Sequence, residues 1–178
     1  GVLGFTFAVA SLFSNPVFNL PNNKAFPFAM LYGEKQSGKS ALSDAMMLIQ
    51  GFSPHQAAYS ISGSTSVGID RSLAYFASLM VRLDEFRTDE NKTKAKETNL
   101  RSAYNRQFQV KGIKERFGVR EVKIKSTIMI IGEEKPDDPA MLDRIIPIYL
   151  SVKDKTKESL KALQWLYGPL KRKTPAED

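Results

Sequence analysis

The sequence predicts an α/β fold, a parallel β-sheet core flanked by helices with an inserted basic β-hairpin. Short apolar runs at 28–32 (FAMLY), 78–83 (SLMVRL) and 126–131 (STIMII) are continuous rather than alternating, as expected of strands buried on both faces. Helix-like segments fall between these runs, so successive strands are joined by crossovers. The first run leads straight into GEKQSGKS (33–40) and a further helix, and parallel sheets take ligands at the carboxyl ends of their strands.

Each element follows in order. Residues 1–13 are apolar and read as the end of a buried helix; they lack a basic leader region, and a bilayer span needs roughly twenty residues. A chain that opens inside a helix without an initiator Met is expected to be cut from a longer polypeptide carrying other domains. Residues 14–27 hold three prolines and read as a turn-rich connector. After the strand at 28–32, residues 39–50 form a helix with Ala41, Leu42, Ala45, Met46, Leu48 and Ile49 on its apolar face. A second strand is expected at 57–61 and a helix at 69–76. The run 78–83 is a strand ending at Asp84-Glu85. Residues 88–107 read as a long charged helix or a helix plus loop, and 108–124 alternate apolar and basic residues around Gly112 and Gly118, the pattern of a hairpin or paired short strands. Strand 126–131, a turn, a short helix into a last strand by residue 150, and a helix at 155–167 complete the chain. The division is thus an N-terminal helix and connector (1–27), a core (28–150), and a C-terminal helix with a basic tail (151–178).

Composition narrows the function. At 178 residues, 42% hydrophobic and 25% charged, the chain is long enough for one well-packed domain. A net charge of +7 suits an anionic partner such as nucleic acid; a solvated basic surface is the alternative. The absence of cysteine excludes disulfides and thiolate metal sites and fits a reducing, cytoplasmic setting. A single histidine, His55, excludes multi-histidine metal sites and most catalytic triads.

Residues 33–40 spell Gly-x-x-x-x-Gly-Lys-Ser between a strand and a helix. In that setting the backbone N–H groups of Gly33, Glu34, Lys35, Gln36, Ser37, Gly38, Lys39 and Ser40 can cradle the phosphates of ATP. Lys39 reaches the β and γ oxygens, and the Ser40 hydroxyl ligates Mg²⁺. The second acid-bearing strand end, LMVRLDEF (79–86), places Asp84 to share the Mg²⁺ shell and Glu85 to polarise the attacking water. Arg82 inside this apolar run is unusual and is expected to face a sheet edge or a partner subunit.

Together these motifs resemble the AAA+ ATPases, and within them the superfamily 3 helicases and related phage and plasmid replication ATPases, over roughly residues 28–150. The resemblance implies a P-loop NTPase of three αβα layers that works as a ring oligomer, commonly a hexamer, on single-stranded DNA. It implies a polar sensor at the tip of strand 126–131. Glu133 occupies that place where superfamily 3 members usually carry Asn, and a carboxylate there needs a neighbouring cation. The segment DDPAMLDRIIPIYL matches the stretch that carries an arginine finger, which would be Arg144; an ion pair of Arg144 with Asp143 or Asp138 is the alternative. The basic hairpin matches the element that tracks DNA in the pore, with Lys111, Lys114 and Arg116 as its DNA-binding residues; a solvated charged hairpin is the alternative. A remodelling or switch ATPase without unwinding activity is the second functional reading. A small-molecule kinase is disfavoured by the Asp-Glu pair.

Overall fold

Helices α1 (Val2–Ser11) and α2 (Ser14–Phe18) lead into strand β1 (Phe28–Gly33), which passes through a loop to α3 (Lys39–Ile49). The chain continues through β2 (Ala58–Ser60), α4 (Ser66–Tyr75), β3 (Met80–Phe86) and α5 (Asn91–Tyr104). Strands β4 (Gln109–Gly112) and β5 (Val119–Val122) form an antiparallel hairpin. Strand β6 (Thr127–Gly132), helix α6 (Pro139–Leu142), β7 (Ile145–Leu150) and α7 (Lys157–Lys171) close the chain. The computed structural model describes residues 2–22, 25–53, 56–88, 91–106, 109–112 and 119–171.

Five strands make one sheet in the order β2-β3-β6-β1-β7, and every neighbouring pair is parallel. Side chains still alternate between its faces, but both sets are apolar, so no period of two shows in the sequence. Phe28, Met30, Val81, Leu83, Ile128 and Ile130 pack with Ile69 and Leu73 of α4 and Leu100 and Ala103 of α5. Ala29, Leu31, Met80, Met129 and Ile131 pack on the other face with Phe7 and Ala8 of α1 and Met46 and Met47 of α3. The predicted α/β architecture with helices on both faces and an inserted hairpin is therefore present.

Three boundaries differ from the sequence reading. The proline-rich connector contains α2, because Pro16 falls in the first turn, where a missing N–H costs nothing. Helix α4 starts at Ser66, three residues early, since Thr65 caps it by accepting a hydrogen bond from the Gly68 N–H at 3.0 Å. Strand β3 runs on to Phe86, so Asp84 and Glu85 lie within it. Among the described residues, no helix is long and apolar enough to cross a membrane.

Candidate functional site

The segment between β1 and α3 owes its shape to two glycines. Gly33 has φ +131°, and a Cβ there would lie 2.1 Å from the Leu150 carbonyl oxygen on neighbouring β7. Gly38, at the N-cap of α3, has φ +96° with nothing within 4 Å of a Cβ position, so the space over the loop is open. It supplies no side-chain cap to the first turn of α3. The buried Ser37 hydroxyl has no hydrogen-bond partner. An uncapped helix start, an unpaired buried hydroxyl and an open cradle together fit an anionic group.

The charged side chains of the loop play different parts. Lys39 Nζ donates to the carbonyls of Gly33 (2.8 Å) and Glu34 (2.6 Å), folding the amine back over the loop. Partial burial holds its pKa below the usual lysine range, and the nearby Glu133 carboxylate opposes that shift. Lys35 lies 3.7 Å from Glu133, so the carboxylate at the tip of β6 has the cationic neighbours it needs. The Glu34 side chain turns away to the end of β7, where Oε2 accepts from the Ser151 hydroxyl (3.1 Å) and the Val152 N–H (2.7 Å). Sequence reasoning placed Glu34 in the loop and missed this tie, because its partners lie 117 and 118 residues away.

Strand β6 lies between β1 and β3, so its tip at Gly132-Glu133 adjoins both the loop and the acidic end of β3. There the β3–β6 register shifts between Leu83 and Phe86, and Glu85 takes a left-handed conformation with φ +65°. A non-glycine residue in that region stores about 1–3 kcal/mol of strain, an observation that favours a working role. Glu85 Oε2 accepts a hydrogen bond from Ser60 Oγ of β2 at 2.6 Å. A cavity of about 240 Å³ gathers Lys35, Gln36 and Lys39 of the loop, Glu85 and Arg87 of β3 and its continuation, and Glu133. Arg87 was not anticipated, although its place two residues after Glu85 on the same strand end was a usable signal.

Asp84 is partly exposed. Burial pushes its carboxyl above the ordinary range, and the adjacent Arg82 guanidinium opposes the shift. Arg82 itself corrects the sequence expectation. It is 4% exposed on an internal strand, so it does not face a sheet edge, and it pairs within its own chain with Asp44 of α3 and with Asp84 (2.9 Å). Ser40 is exposed in the first turn of α3, and its carbonyl accepts from the Ser43 hydroxyl at 2.7 Å.

Arg144 lies far from the loop of its own chain. It precedes β7, where Ile145 is in register with Phe28, whereas Gly33 is in register with Leu150 at the other end. Five residues of strand separate the two ends, about 16 Å. Its guanidinium donates to the Ala140 carbonyl and lies 5.3 Å from the centre of the Tyr104 ring. Asp138, one suggested ion-pair partner, instead caps α6 and pairs with Arg101 at 3.1 Å.

The hairpin joins α5 to the amino end of β6, away from the loop. Lys111 falls on β4 with Arg120 as its register partner on β5, and Lys114 and Arg116 lie outside the described residues. Neither the protein-family models nor the curated proteins compared with this chain give a match.

Proposed function

We propose that this chain is the ATP-hydrolysing motor domain of a replicative helicase or translocase, a ring oligomer acting on single-stranded DNA in the cytoplasm. The observation that carries the reading is the cavity joining the phosphate-type loop to Glu85 and Glu133. The phosphates of ATP fit the loop's donors: the Ser37 hydroxyl, the first N–H groups of α3 and the Lys39 amine, once it releases the carbonyls it now holds. Ser40 and Asp84 are the hard oxygen donors that would hold Mg²⁺, which neutralises phosphate charge when bound.

Glu85 is the base. It accepts a proton from water as the water oxygen bonds to the terminal phosphorus, and the bond to the bridging oxygen breaks, leaving ADP and phosphate. Glu133, flanked by Lys35 and close to Lys39, can orient that water by hydrogen bonding. Arg144, remote from its own loop, is suited to completing a neighbour's site, and AAA+ ATPases assemble in this way. The DNA assignment draws on the net charge of +7 and on the hairpin sequence around Lys111, Lys114 and Arg116.

Steady-state ATPase assays with and without single-stranded DNA test the reading, alongside a variant with Lys111, Lys114 and Arg116 changed to Glu. The expected result is stimulation by DNA that the charge reversal removes. Hydrolysis indifferent to both would favour a remodelling or switch ATPase of a mobile element.

A further inference from the structure

We propose that Arg82 is a positioning residue that locks the Asp84 carboxylate to the first turns of α3, presetting it for a magnesium-bound nucleotide. The inference rests on the nucleotide reading and concerns how that site is held. Arg82 and Asp84 are two residues apart on β3 and so share a face of the sheet. The planar guanidinium has donors pointing two ways. Nη1 serves α3, pairing with Asp44 and donating to Ser43 Oγ at 3.1 Å. Nε and Nη2 serve Asp84, both reaching Oδ2, at 3.1 and 2.9 Å. Ser43 Oγ in turn donates to the Ser40 carbonyl at 2.7 Å. A continuous hydrogen-bonded path therefore runs from Ser40 through Ser43 and Arg82 to Asp84, the two residues suited to the cation being its ends.

A buried ion pair that served the fold alone would need only Asp44. Asp44 already balances the Arg82 charge, yet the guanidinium spends its other edge on a carboxylate that is still 29% exposed. With one cation between two anions, the trio keeps a single negative charge, and Asp84 is the exposed member able to offer it to a cation. Both guanidinium bonds fall on Oδ2, which anchors that oxygen toward α3.

The test is a titration of the full chain with a fluorescent ATP analogue, in excess Mg²⁺ and in EDTA, combined with thermal melting. Two variants are compared. In the double variant Asp44→Asn with Arg82→Met, both fully buried charges are removed at similar volume, leaving the partly exposed Asp84 carboxylate as the one charge of the trio. In Arg82→Lys the charge that pairs with Asp44 remains while the planar two-way donor set is lost.

Wild type should bind more tightly in Mg²⁺ than in EDTA. Each variant should bind like wild type in EDTA, with the double variant losing about tenfold of the magnesium-dependent gain and Arg82→Lys falling between. A folded variant of either kind that keeps the full magnesium gain overturns the proposal. If the double variant does not fold, Arg82→Lys decides alone. Wild type that binds the analogue in neither condition removes the nucleotide reading itself, a result distinguishable from failure of the Arg82 role.

Discussion

Replacing Gly33 by alanine is the sharpest probe of the loop. The new methyl carbon would begin 2.1 Å from the Leu150 carbonyl oxygen. A comfortable carbon–oxygen contact is about 3.3 Å, so β1 and β7 must part locally by about 1.2 Å. Gly33 and Leu150 are register partners, and the Gly33 N–H also donates to the Glu133 carbonyl at 3.2 Å. A shift of that size weakens one or two backbone hydrogen bonds, at about 1 kcal/mol each. Alanine at φ +131° adds strain of about 1–3 kcal/mol. The sum, about 2–5 kcal/mol, lowers the melting temperature by roughly 5–20 °C for a chain of this size.

Gly38→Ala supplies the contrast. Its φ of +96° is also unfavourable for alanine, but no atom stands within 4 Å of the added carbon. It should lower the melting temperature by only about half as much, because strain is the sole cost. Nucleotide affinity should instead fall more than about tenfold, because the methyl enters the open cradle. Circular-dichroism melts and analogue titrations on both variants provide the assay. Gly33→Ala melting within about 2 °C of wild type would refute the strand-contact argument.

Three further outcomes are expected. Glu85→Gln should retain nucleotide binding while hydrolysis falls by about 10²–10⁴-fold, the usual range for loss of a general base, as steady-state rates and analogue titrations will show. Ser60→Ala removes a hydrogen bond worth about 1 kcal/mol that competes for Glu85, so basal hydrolysis should rise about fivefold, while the melting temperature falls by a few degrees because the Gly63 N–H also loses its acceptor; an unchanged rate counts against that competition. For Asp84, burial raises the folded-state pKa above its ordinary 3.8, so the folded chain holds this proton more tightly than the unfolded chain. The group's stability contribution is then full below the ordinary value and is lost as pH rises through the folded-state pKa. Asp84→Asn should therefore melt above wild type at neutral pH, with the gap closing in acid, as melts across roughly pH 4–8 would reveal.

The elements were legible where the signal was local. Continuous apolar runs marked the buried strands, and the switch at residues 108–124 to alternating residues around glycines marked the hairpin. What escaped the sequence was held by partners distant along the chain or by backbone geometry. The bulge at Glu85 carries β3 through two acidic residues that the sequence places at the strand's end, and a left-handed glutamate has no sequence signature. Arg82 looked misplaced in a strand because its balancing Asp44 is 38 residues away on α3. Residues suited to chemistry could be named from spacing, since Lys39, Asp84 and Glu85 sit in short motifs. The side chains that hold the two acids, Ser60 and Arg82, and Ser43 behind Arg82, lie outside those motifs or read as anomalies within them. Their positions follow from strand order. With β6 between β1 and β3, the end of β3 stands one strand away from β1, and a long guanidinium reaching from β3 to α3 links the acid end to the helix that follows the loop. A shorter residue at 82 would leave Asp84 and α3 to find their relative placement separately, and that coupling is the part of the site that only the folded chain reveals.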